Sequence, residues 1–192
     1  DRLPPLIKAG LAHVQFETIH PFLDGNGRLG RLLITLYLCE RRLLREPLLY
    51  LSLYLKQHRE DYYRLLQEVR ERGAWEAWLE FFLCGVTSTA NQAFETANRI
   101  VALFREDRQR IAERAGNSTS LLRLHELMQT SPYLNASIAK AKSGFSTPTI
   151  NGAFGQLVSM DLVKEVTGKR RGRVYAYERY LSVLGEGITA GE

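Results

Sequence analysis

Twelve consecutive residues constrain this chain more than any other stretch: His20-Pro21-Phe22-Leu23-Asp24-Gly25-Asn26-Gly27-Arg28-Leu29-Gly30-Arg31. They place a glycine-rich turn between two helical segments. Leu6 to Ile19 reads as a helix before the turn, and Leu29, Leu32, Leu33, Leu36 and Tyr37 recur at helical spacing after it. A Gly-Asn-Gly turn that opens a helix leaves backbone N–H groups unpaired at the positive end of the helix dipole, which is an anion site. Arg28 and Arg31 lie three apart, so both fall on one face and can grip a polyphosphate. Asp24 offers a hard oxygen ligand suited to Mg²⁺, which binds through one or two carboxylates plus substrate phosphates. His20 is the side chain suited to take a proton near neutral pH. Base, carboxylate, anion-binding turn and paired arginines point to phosphate-transfer chemistry.

Two other meanings of the same glycines fail on context. Gly25-x-Gly27-x-x-Gly30 satisfies the dinucleotide-binding pattern, but that pattern needs flanking strands in a βαβ unit, and helices flank it here. A protein-kinase loop would need a Val-Ala-Ile-Lys strand, an Asp-Phe-Gly segment and a catalytic loop. The chain has none of these, and His58-Arg59-Glu60-Asp61 is only a near miss.

The residues His20, Phe22, Asp24, Gly25, Asn26, Gly27, Arg28 and Arg31 resemble the signature of the Fic (Fic/Doc) family, His-x-Phe-x-(Asp/Glu)-Gly-Asn-(Gly/Lys)-Arg-x-x-Arg, with every defining position filled. The lead-in from His13 to Ile19 is similar to the helix that enters this loop in the family. The resemblance implies a protein adenylyltransferase, which moves AMP from ATP to a Ser, Thr or Tyr hydroxyl of a target protein. It implies His20 as the base, Asp24 as the holder of Mg²⁺, and Gly25, Asn26, Gly27, Arg28 and Arg31 as phosphate-binding residues. Tyr62-Tyr63-Arg64-Leu65-Leu66 resembles the helix that closes over adenine, with Tyr63 and Leu66 at the matching positions; as residues alone they read more readily as core. Arg70 stands where some members carry Asn. An intact signature also suits other donors or reactions: UMP, phosphocholine or phosphate transfer, or removal of AMP. A nucleotide-sensing DNA-binding regulator is the non-enzymatic alternative.

In the family further helices and a β-hairpin flap precede this region, so an N-terminally truncated form is expected. Family members are often silenced by a Ser/Thr-x-x-x-Glu-Gly/Asn helix whose Glu pairs with the second arginine, here Arg31. Ser182-Val183-Leu184-Gly185-Glu186-Gly187 fits that pattern, but Gly185 weakens it as a helix and it lies late in the chain. Inhibition is therefore expected from the preceding segment or from a separate antitoxin protein. A homodimer remains open.

The rest of the chain bounds the fold. At 192 residues and 45% hydrophobic content there is enough for one domain or two small ones. No apolar run reaches membrane-spanning length, and Asp1-Arg2-Leu3-Pro4-Pro5 has no signal-peptide character. Cys39 and Cys84 lack metal-ligand spacing and are expected to be buried reduced thiols of a cytoplasmic protein. Ser52 is a candidate N-cap after the break at 47–49, and a charged helix runs from Glu60 to Arg72, ending at Gly73. A long helix then runs to Ala115, with Trp75, Trp78, Leu79, Phe82 and Leu83 as packing positions. His13 lies two turns before His20 and reads as a packing histidine more readily than as its assistant. His58 and His125 have no partner pattern.

Residues 116–120 form a polar, turn-rich stretch that suits a linker. Beyond it come helices at 121–128, 136–142 and 147–160, then alternating strands at 162–166 and 173–177 around a basic tip, Gly168-Lys169-Arg170-Arg171-Gly172. Three helices and a basic hairpin resemble a winged helix-turn-helix. The expected fold class is mainly α: a Fic-type helical bundle at 1–115, a small winged helix-turn-helix (α+β) domain at 121–184, and a tail at 185–192. Lys169, Arg170, Arg171 and Arg173 are candidate nucleic-acid contacts. However, the presumptive recognition helix has no Lys or Arg, and only Asn151 and Gln156 suit base readout. A protein-interaction role is the stronger expectation for this module.

Overall fold

The structure is a computed structural model that describes residues 3–45 and 50–189, and it is mainly α. The break expected at 47–49 lies outside the described residues. Two compact units are present, one up to Glu95 and one from Thr96.

In the first unit, α1 (Pro5–Ile19) opens with proline in its first turn, where the missing N–H costs nothing. α2 (Asn26–Glu40) follows the loop, and α3 (Leu51–Gln57) and α4 (Arg59–Arg72) follow in turn. α2 stops at Glu40, and the chain then turns through Arg42 in a left-handed conformation. Ser52 lies inside α3, not at its cap; Tyr50 occupies that position and makes no side-chain cap. Gly73 ends α4 in the left-handed conformation, as expected. α5 (Trp75–Ala115) is continuous, and its first half belongs to this unit. Trp78, Phe82, Ile34, Leu38, Leu55 and Val14 are among the buried core residues. Trp75, expected to pack, is 38% exposed.

α1 and α2 cross at Gly30. A Cβ there would stand 2.6 Å from Glu17 Oε1 and 3.1 Å from the His13 ring. Only glycine permits this approach. The third glycine of the dinucleotide-like pattern is thus a helix-crossing residue.

The second unit takes the rest of α5, then α6 (Thr119–Thr130), β1 (Tyr133–Asn135), α7 (Ala136–Ser143), α8 (Thr147–Ser159), β2 (Lys164–Glu165), β3 (Val174–Ala176) and α9 (Glu178–Thr189). The sheet order is β1-β3-β2, antiparallel throughout, with Leu134 opposite Tyr175 and Glu165 opposite Tyr175 on the other side. β1, a three-residue strand after Pro132, carries no periodic signal of its own and is absent from the sequence expectation. Ser146 caps α8, its Oγ accepting from Thr149 N–H. Phe154 stacks on Tyr175 with centroids 4.0 Å apart. The buried Asp107 carboxylate accepts from the Tyr177 hydroxyl (2.6 Å), Arg110 (3.1 Å) and Arg179. Burial and this carboxylate push the Tyr177 hydroxyl well above its usual pKa. His125 is buried with its Nε2 3.3 Å from the same hydroxyl.

Two expectations need correction. The segment containing Ser182 and Glu186 is helical despite Gly185, because Tyr180 and Val183 pack it onto the unit's core. Glu186 pairs there with Arg99 at 2.5 Å. Cys84 is exposed, not buried, because it falls on the solvent face of α5, while Cys39 is half-buried; both are free thiols.

Candidate active site

The loop is shaped at both ends by left-handed backbone. His20 caps α1 with φ 48° and ψ 58°, its N–H donating to Phe16 O at 2.9 Å. A non-glycine residue in this conformation is uncommon and is held by its surroundings. Gly25 precedes α2 at φ 82°, which glycine adopts without steric cost. Between them Asn26, 2% exposed, braces the loop: Phe22 N–H donates to Asn26 Oδ1 (3.0 Å), and Asn26 Nδ2 donates to Phe22 O (2.5 Å). The Asn26 amide is therefore committed to the protein's own backbone. Asp24 is exposed, and its Oδ1 accepts from Gly25 N–H at 2.6 Å.

Within α2, Leu29 N–H is bonded to Gly25 O, and no side chain caps the helix. The amides of Asn26, Gly27 and Arg28 precede the first intrahelical bond and point out of the helix end. Arg28 and Arg31, on the first turns, line a cavity of about 560 Å³ with Lys56, Arg59, Tyr62 and Tyr63. Four cations meet there, and no carboxylate of the described residues lines the wall. None of the four forms an ion pair among the described residues; Arg59 instead lies over the Tyr63 ring, 5.5 Å from its centroid. Such a cluster repels itself until a polyanion enters.

The structure brings Arg28, Arg31 and Tyr63 to this cavity, together with the exposed Ser52. Leu66 is 3% exposed and belongs to the core. Neighbouring positions on α4 face opposite ways: Tyr63 is 55% exposed, whereas Tyr62 is 3% exposed and turns inward. Lys56 and Arg59 escaped the sequence reading. Their signal was weak: Arg59 stands one helical turn before Tyr63.

Beneath the loop lies a buried polar layer. His13 is fully buried, with Nε2 2.8 Å from the Tyr62 hydroxyl and its ring stacked on Trp78 at 5.8 Å. Burial lowers its pKa to about 4, so the ring is neutral at neutral pH. It is a packing histidine. Burial also raises the Tyr62 pKa, and the Arg31 guanidinium stands beside that hydroxyl, linking the cavity to the buried layer. His13 Nδ1 and Glu17 Oε1 are buried without a hydrogen-bond partner among the described residues. Arg70 clasps the last turn of α1, donating to Glu17 O (2.7 Å) and Thr18 Oγ1 (3.3 Å). A cation at a helix C-terminus also complements the dipole. Arg70 therefore supports the segment that ends in His20, one turn beyond the residues it holds.

Residues 1–38 match the sequence model of the Fic/DOC family. A probable protein adenylyltransferase of Aquifex aeolicus (strain VF5) is 41% identical over 64 residues, covering 33% of this chain and 18% of that protein. A Fic family protein from Desulfovibrio desulfuricans G20, known from its crystal structure, aligns over 92% of this chain and 50% of its own, with 24% identity and a TM-score of 0.48. This chain thus spans half or less of the length of these relatives. The matched segment contains the whole loop from His20 to Arg31.

Proposed function

We propose that this protein transfers AMP from ATP to a Ser, Thr or Tyr hydroxyl of a target protein. The observation that carries this reading is the carboxylate-free cavity in which Arg28, Arg31, Lys56 and Arg59 converge beside the exposed Tyr63 ring. Four cations suit a triphosphate, and an aromatic wall suits a base. The relative from Aquifex aeolicus is named a probable adenylyltransferase, which supports the same chemistry.

In this mechanism the N–H groups of Asn26, Gly27 and Arg28 and the side chains of Arg28 and Arg31 hold the phosphates. Asn26 contributes by holding the loop's shape, since its side-chain amide is engaged with Phe22. His20 accepts the proton of the target hydroxyl as its oxygen bonds to the α-phosphorus. The bond from that phosphorus to the pyrophosphate oxygen breaks, and Lys56 and Arg59 add to the positive field that receives the departing charge. Little of this asks for covalent chemistry from the protein; positioning and charge stabilisation carry the rate.

Asp24 fits Mg²⁺. It is exposed and supplies hard oxygen, and among the described residues no group of three or more His, Cys, Asp or Glu side chains is placed to hold an ion by itself. That donor set matches an ion held by one carboxylate and substrate phosphates. When bound with the nucleotide, Mg²⁺ would neutralise phosphate charge.

The test is labelling with ATP radioactive at the α-phosphorus or at the γ-phosphorus, in the presence of Mg²⁺ and cell extract. The expected outcome is α-label on protein, lost in His20→Ala. Label from the γ position alone would assign phosphate transfer instead.

A further inference from the structure

In the second unit, α7 and α8 are two helices joined by the three-residue turn 144–146, with Gly144 at φ 74°. Ile150, Ala153, Phe154 and Leu157 bury one face of α8. The opposite face carries Asn151, Gly152, Gly155, Gln156 and Ser159, all exposed and all uncharged. Apart from the adjoining residues and the helix's own backbone, no heavy atom of the described residues lies within 4 Å of where a Cβ would stand on Gly152 or Gly155. Glycine weakens an exposed helix, and no internal contact of this unit requires either one. What the pair provides is a bare strip of helix that another molecule can approach to backbone distance.

Beside this strip the β2–β3 hairpin closes a cavity of about 580 Å³. Arg170, Arg171 and Arg173 line it together with Asn135, Thr147 and Asn151 at the starts of α7 and α8. No carboxylate is among the lining residues. Arg170 and Arg171 have no ion pair or hydrogen bond among the described residues, while Arg173 Nε donates to Lys169 O at 3.0 Å. Residues 133–173 hold seven Lys and Arg against two acids, Asp161 and Glu165. Glu165 is engaged by Thr167 and Gly168 within the hairpin, which holds its carboxyl below the usual range.

We propose that this unit docks on duplex DNA, with α8 in the major groove and the hairpin tip Lys169–Arg173 on the phosphate backbone. The major groove is wide enough to admit a helix, and the bare strip lets α8 lie deep in it. Asn151 and Gln156 are the side chains placed to read base edges, for which a bidentate bond to adenine is the usual pairing. Charge is confined to the flank, where phosphates run. An acidic polypeptide would instead favour cations on the contact helix itself, and α8 has none. Duplex RNA has a major groove too deep and narrow for a helix. This inference is independent of the transfer reaction at His20.

The experiment uses the full chain and fluorescence anisotropy with a labelled 24-base-pair random DNA duplex over a salt series. Equal-length duplex RNA and poly-glutamate serve as competitors. Micromolar binding with a steep salt dependence is expected, because each phosphate contact adds about 0.9 to the slope of log affinity against log salt. Arg170→Ala with Arg171→Ala should weaken binding at least tenfold and lower the slope by about two. Gly152→Gln with Gly155→Gln should weaken it similarly with the slope unchanged, while circular dichroism shows the helices intact. His20→Ala should bind as the wild type does. Undiminished binding by the glycine pair variant would overturn the proposal. So would poly-glutamate or duplex RNA displacing the DNA at equal charge, or no binding to DNA at low salt.

Discussion

Asn26→Asp changes one atom's chemistry at the centre of the loop. Asn26 Oδ1 accepts from Phe22 N–H at 3.0 Å, and Nδ2 donates to Phe22 O at 2.5 Å. Aspartate keeps the first bond. It keeps the second only while protonated, when its hydroxyl can donate; once ionised, a carboxylate oxygen faces the Phe22 carbonyl at that short distance. The folded loop therefore favours the protonated form and raises this carboxyl above its unfolded value of about 3.9. For an acid whose folded pKa is raised, stability is fully present below the unfolded pKa and falls as pH rises towards the folded one, by about 1.4 kcal/mol per pH unit. The loss is bounded by breaking the brace outright. Asn26→Ala removes both bonds and strands two backbone groups, about 2 to 3 kcal/mol in all. Both tryptophans of the chain, Trp75 and Trp78, lie in the first unit, so urea denaturation followed by tryptophan fluorescence reads this unit. At pH 4 the aspartate variant should fall within about 0.5 kcal/mol of the wild type, and at pH 8 it should approach the alanine variant. A deficit that is flat between those pH values, or an alanine variant within about 0.5 kcal/mol of the wild type, would refute the brace as a source of stability.

Gly30→Val should destabilise the first unit by about 1 to 3 kcal/mol, because the new side chain meets Glu17 and the pinned His13 ring; unchanged denaturation would contradict the close crossing. The His13 pKa, lowered from 6.5 to about 4, gives stability that is full above pH 6.5 and declines as pH falls towards 4. The loss should total about 3 kcal/mol by tryptophan-monitored denaturation and be largely absent in His13→Gln. Lys56→Ala and Arg59→Ala should each weaken ATP binding about fivefold in calorimetry, with a shallower salt dependence than the wild type. Arg70→Ala should speed amide exchange at 17–20 and reduce transfer activity, with Arg70→Lys recovering only part, since lysine cannot fork to both Glu17 O and Thr18 Oγ1.

The loop was legible because its parts are consecutive. A turn at Gly25, a helix start at Asn26 and arginines three apart are local facts, and local geometry follows from sequence order. The long helix through Trp78 and Phe82, the stop at Gly73 and the alternating pair of strands were legible for the same reason: periodicity and caps act within a few residues. Cys84 was misplaced because an apolar neighbourhood in sequence does not say which face of a helix meets solvent. Leu66 and Tyr63 were paired on the resemblance, yet three residues along α4 carry one into the core and the other to the cavity wall.

The order of residues alone determined the Gly-Asn-Gly turn, the histidine ahead of it and the arginines behind it. Tertiary structure decided what surrounds them. Lys56 and Arg59 complete the cavity from helices some thirty positions away, and Arg70 holds α1 from more than fifty positions away. Gly30 has its meaning only where α1 crosses α2. Contacts of that kind depend on which faces pack together, which is settled by the burial of the whole core and by no single segment of the chain.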